Sequence, residues 1–109
     1  MKTMIAKTPQ PPYYAVIFTS IQTSNLEGYE EMAGRMTELA RLQPGYLGME
    51  TARDQTGITV SYWESLEAIR NWKHHREHLI AQHAGKTVWY QAYHTRICKV
   101  ERDYYFENL

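Results

Sequence analysis

The chain has 109 residues, enough for one domain with a modest core whose burial improves if two copies pack together. Twelve Lys and Arg balance twelve Asp and Glu, and no basic run occurs, so the charge favours neither nucleic acid nor an anionic membrane. A single cysteine, Cys98, excludes an internal disulfide and a cysteine-built zinc site, and it reads as a small strand residue.

Residues 1–12 lack the ~7–15-residue apolar run of a signal peptide. They end in Pro9-Gln10-Pro11-Pro12, whose prolines offer no donors to a ladder, and are expected to form a flexible arm ahead of one domain over 13–109. No stretch reaches the ~18 apolar residues of a membrane span, and a cytoplasmic location is expected. Tyr13 to Ile21 is β-branched and aromatic, a strand. Tyr13, Ala15, Ile17 and Ile21 fall on one parity, and Tyr14, Val16 and Phe18 on the other. Both faces are therefore apolar, and both must be covered.

Ser24 and Glu27 have the spacing of a capping box opening a helix. Its apolar stripe runs from Leu26 through Tyr29, Met32, Met36 and Leu39 to Leu42, and Pro44-Gly45 stops it. Tyr46–Asp54 and Ile58–Glu64 read as strands joined by a hairpin, with Gly57 available for positive φ. Ser65 is placed to cap a second helix, amphipathic through Leu66, Ile69 and Trp72. That helix is expected to bend near His74–Arg76 and continue through Leu79 and Ile80 towards Gly85. A final strand spans about Gln91 to Arg102, with a tail behind it.

The order strand–helix–strand–strand–helix–strand is the α+β, ferredoxin-like βαββαβ unit, an antiparallel sheet with both helices on one face. The other face of the first strand still needs a cover. A homodimer joining two sheets face to face supplies it most simply.

All three tryptophans and all five histidines lie between Trp63 and His94. The stretch reads Tyr62-Trp63-Glu64-Ser65, Trp72-Lys73, Glu77-His78, Ala81-Gln82, Gly85-Lys86, Trp89-Tyr90 and Val100-Glu101-Arg102. On these residues the chain resembles the antibiotic biosynthesis monooxygenase (ABM) family, dimeric α+β barrel proteins, over roughly Tyr13 to Arg102. The resemblance implies a homodimer and a small aromatic substrate, a phenol or quinol, oxidised without a cofactor. It also implies that haem is possible, since some relatives bind and degrade it while others have no known activity. In the haem-degrading type an Asn near the end of the first strand works with a Trp and a His on the second helix. Trp72 fits the Trp, but the His position falls near Gln82, with His83 one residue on, and the Asn position near Phe18 or Thr19.

His78 lies where the family often has a histidine, and its ordinary pKa of about 6.5 would suit proton transfer from a phenol. His75 is a second candidate; the plainer reading of His78 is a polar residue holding the helix bend. Phe18, Trp63, Trp72 and Trp89 are the candidate walls of an aromatic pocket, against the alternative that they simply fill the core. His74-His75-Arg76-Glu77-His78 formally matches the zinc-hydrolase pattern His-x-x-Glu-His. Those enzymes are much larger, and a polar helix end explains the run, so no metal is expected. For Arg96, a salt bridge with Glu50 or Glu64 is the plainest role. Neither a dinucleotide fingerprint nor a P-loop is present in the sequence, so no flavin or nucleotide cofactor is indicated.

Overall fold

A computed structural model describes residues 5–82 and 88–108. In chain order it contains β1 (Tyr13–Gln22), α1 (Tyr29–Leu42), β2 (Tyr46–Arg53), β3 (Gly57–Trp63), α2 (Leu66–Gln82) and β4 (Tyr90–Val100). The sheet order is β2-β3-β1-β4, every neighbouring pair antiparallel. This is the ferredoxin-like α+β fold. The strand with two apolar faces, β1, lies between β3 and β4. Among the described residues no helix is long and apolar enough to cross a membrane.

Both helices cover the same sheet face. Val16 and Trp63 from the sheet meet Ala40 of α1 and Ala68, Ile69 and Trp72 of α2 in one core cluster. A second cluster joins Met32 and Ile80 to Trp89 and Tyr90. Gly45 ends the α1–β2 turn at φ 88 and lies against α2; a Cβ there would come within 2.7 Å of Ala68 Cβ. Only glycine satisfies both demands.

Four local expectations are corrected. First, α1 opens at Tyr29 behind Gly28 (φ 80), with no side-chain cap, rather than at Ser24. The preceding loop is folded on itself and onto the far end of the sheet. Thr23 accepts the Asn25 N–H at 3.2 Å, and its own N–H donates to the Trp89 carbonyl at 2.8 Å. Trp89 Nε1 donates to the Glu27 carbonyl at 2.8 Å. Second, α2 runs unbroken from Leu66 to Gln82. It contains no Gly or Pro, and its buried stripe of Ile69, Trp72, Leu79 and Ile80 keeps helical phase across the expected bend. Ser65 does cap it, accepting the Ala68 N–H at 3.1 Å. Third, Gly57 is not among the positive-φ glycines. It is small because the Arg53 guanidinium lies where its Cβ would be, on the way to the Ser20 hydroxyl. Fourth, Glu50 does not pair with Arg96; it accepts the Tyr62 hydroxyl at 2.6 Å and the Ala6 N–H at 2.9 Å.

The arm also differs from a free segment. Residues 5–12 lie against the sheet face remote from the helices, where Tyr13 and Ala15 are buried. Gly48 has no Cβ to obstruct Ala6. Tyr13 donates to Asp103 at 2.5 Å and accepts from Thr8 at 3.0 Å. Farther along the same face Ile21 and Ile58 remain half exposed. The tail leaves Tyr104 and Phe106 exposed.

Candidate functional site

Between the helices and the sheet is a cavity of about 180 Å³. Val16 and Phe18 of β1, Met49 of β2 and Ser61 of β3 form its floor. Met32 and Met36 of α1 form one side of the roof, and Trp72, Arg76 and Ile80 of α2 the other. Tyr29 and Tyr90 close one end. The α2 contribution follows from helical geometry, since residues four apart lie on one face, one above the other.

The floor is not purely apolar. Ser61 is buried and accepts the Trp63 indole N–H at 2.9 Å, while Thr51 and Thr59 share a hydrogen bond of 2.9 Å. Tyr90 makes edge contacts with Phe18 at 5.6 Å and Tyr29 at 6.1 Å. Burial first, then the neighbouring Tyr29, pushes the Tyr90 phenol well above its ordinary range, so it stays a neutral donor. Arg76 brings a cation into this lining, with its guanidinium carbon 5.5 Å from the Phe18 ring centroid. Burial pulls its pKa below the ordinary arginine value, opposed chiefly by Glu77.

The sequence-predicted residues separate into two groups. Phe18 and Trp72 line the cavity. Trp63 is fully buried behind Trp72, their rings stacked at 5.9 Å, and so supports the wall instead of forming it. Trp89 is likewise buried, with its indole committed to the Glu27 carbonyl. His75 and His78 are both exposed on α2, off its buried stripe, and neither lines the cavity. His74 is exposed as well, and among the described residues no cluster of His, Cys, Asp or Glu is placed to hold a metal. His83, Gly85 and Lys86 lie outside the described residues.

Arg76, Ser61 and Met49 were not singled out from the sequence as site residues, while Met32 and Met36 were expected only as core on the α1 stripe and Trp89-Tyr90 at the cleft end or the dimer edge. For Arg76 a signal existed: it follows Trp72 and precedes Ile80 by four residues each, so it is a charge on the apolar stripe.

The family model for antibiotic biosynthesis monooxygenases matches residues 12–84, most of the chain. The chain belongs to that family. An uncharacterized protein of Bacillus subtilis, YqjZ, is 51% identical over 110 residues, covering 99% of this chain and 96% of that protein. Among solved structures, SnoaB, a cofactor-independent oxygenase from Streptomyces nogalater, superposes with a TM-score of 0.68 at 11% identity, covering 85% of this chain and 97% of its own. A mutant of MhuD with two manganese protoporphyrin IX bound per active site gives 0.61 at 22% identity, covering 85% and 99%. At these identities the likeness to the two structures shows the shared fold alone.

Proposed function

We propose that this ABM protein is a cofactor-independent monooxygenase that oxidises a small phenol or quinol inside the cleft between its helices and sheet. The observation that carries this reading is the cavity. An apolar cavity of ~150 Å³ accepts benzene, so about 180 Å³ suits one aromatic ring or a slim fused pair. Phe18, Trp72 and Tyr90 offer ring faces and edges to such a ligand. Ser61, Thr59 and Tyr90 offer hydroxyls to orient it.

In such a reaction the substrate is its own reductant. A phenol with a free para position gives up that hydrogen and its hydroxyl hydrogen. One atom of dioxygen becomes the new carbonyl oxygen and the other leaves as water, so the four electrons come from the ring. The protein binds the ring, excludes water from it and favours its electron-rich form. The apolar lining of methionines and aromatics supports the second role.

Haem fits poorly. A four-pyrrole macrocycle is several times larger than this cavity, and no described histidine lines it.

The remaining outer face, with Ile21 and Ile58 half exposed, supports a homodimer formed sheet to sheet. Light scattering should give twice the 12.9 kDa chain mass, and a monomer would remove that part of the reading. The activity is tested by oxygen uptake on a panel of naphthols and hydroquinones in metal-chelated buffer. Product carrying one atom from ¹⁸O₂ is the expected result; silence across the panel, with binding intact, counts against an oxygenase.

A further inference from the structure

We propose that the cleft takes its aromatic substrate as an anion, the charged oxygen resting between the Arg76 guanidinium and the Thr95 hydroxyl. The proposal rests on the small-aromatic reading of the cleft and names the charge of its ligand.

Two independent features converge on this spot. Arg76 lines both the 180 Å³ cavity and a second one of 290 Å³ between α2 and β4, and the two share Val16 and Trp72 as well. A guanidinium is a fork of donors suited to carboxylate or phenolate oxygens. Among the described residues Arg76 makes no ion pair or hydrogen bond; the ion pair on its helix joins Lys73 to Glu77 at 3.9 Å. Its guanidinium rests instead over Phe18.

Thr95 is the register partner of Phe18 on β4 and lines the second cavity. Its hydroxyl oxygen is buried without a hydrogen-bond partner, the one such side-chain atom among the described residues. Buried hydroxyls are normally paired, and one left open beside a cavity calls for a ligand oxygen. A ring lying along Phe18 would thus present one polar substituent to a cation and an unused hydroxyl together. Lys73, Glu77 and His94 also line the second cavity, and Lys73 and Glu77 pair with each other at 3.9 Å, so that pair adds no net charge there.

This placement also resolves a chemical gap. With His75 and His78 exposed, His94 at the second cavity is the one described histidine near this spot that could act as base. A cation that lowers the pKa of the bound phenol makes such a base unnecessary: the phenol gives its proton to water on binding and is already electron-rich when oxygen arrives.

The test uses matched probes, 2-naphthoate and its neutral isostere 2-naphthamide, with binding followed by quenching of tryptophan fluorescence. The wild-type protein should prefer naphthoate. Arg76→Gln should weaken naphthoate by about tenfold or more while changing naphthamide by no more than about twofold, as expected for loss of a charge-assisted hydrogen bond. Arg76→Lys, which keeps the charge, should recover part of the loss, and Thr95→Val should weaken naphthoate alone by a smaller factor. Equal affinity for the two probes, or a parallel loss of both in Arg76→Gln with an unchanged circular dichroism spectrum, overturns the proposal. This assay does not read oxygen uptake, so a protein silent in the separate uptake panel that still selects naphthoate counts against the oxygenase and leaves the anion site standing.

Discussion

Replacing Gly45 by alanine should be among the most damaging single-methyl additions to this fold. Gly45 sits at φ 88, where an L side chain costs about 1–2 kcal/mol. Its new Cβ would lie 2.7 Å from Ala68 Cβ, inside van der Waals contact, and neither atom is the end of a flexible chain. Relieving that overlap means moving α2 away from the turn, an overpacking strain of about 1–3 kcal/mol. The turn cannot shift freely either, because the Gly45 carbonyl accepts the Glu64 N–H at 2.8 Å. The expected loss is thus about 2–5 kcal/mol, read by urea unfolding monitored with circular dichroism. A double-mutant cycle separates the two causes. Ala68→Gly alone should cost about 1 kcal/mol through helix propensity. Combined with Gly45→Ala it should remove the overlap, so that the double variant is more stable than the sum of the singles by about 1–3 kcal/mol. Strict additivity within about 0.5 kcal/mol would show that the contact carries no strain and refute the packing argument.

Raising the pH above about 10, the ordinary tyrosine value, should destabilise the protein, since an unfolded phenol then ionises before a folded one whose pKa is raised. Tyr62 is held up chiefly by burial and then by its bond to Glu50, and Tyr13 by burial and by Asp103. Their stabilising contribution is whole below that pH and lost above it. Tyr62→Phe should flatten the decline between about pH 9 and 11 in urea midpoints; an unchanged slope would discount that phenol. Trp89→Phe removes the indole donor from the Glu27 carbonyl and should cost about 1–3 kcal/mol, with faster amide exchange at the start of α1; exchange raised equally throughout would point to general loosening instead. Gly57→Ala should displace only the flexible end of Arg53 and break its bond to Ser20, costing about 1 kcal/mol, and a loss above about 3 kcal/mol would mean that the β2–β3 hairpin itself had moved.

The architecture was legible because its signals are local. Two-faced apolarity marked β1 as a strand to be covered on both faces, and the Ser65 cap and the α2 stripe placed Trp72. The cleft was harder to read, since its ends are set by contacts across the sequence. Nothing near residue 28 announces that the indole of Trp89 will take the Glu27 carbonyl, so a sound capping-box spacing at Ser24 lost to a partner 62 residues away. On α2, residue type and helical phase point to different residues. A titratable ring suggests chemistry, yet helical phase puts His75 and His78 off the buried stripe and Arg76 on it.

The latch at Tyr13 has a mechanical consequence. Tyr13 begins β1 and pairs with Val100 at the end of β4, while Asp103 just beyond holds the Tyr13 hydroxyl. Tension applied through the two extremities would therefore act on adjacent ends of one antiparallel ladder. Once the Ala6–Glu50 contact has given way, it would load the Tyr13–Asp103 bond and then part the pairs in turn, from Tyr13–Val100 towards Ile21–Ala92, like a zip. Under force this sheet should yield at low load, although its equilibrium stability rests on a core that such a pull reaches last.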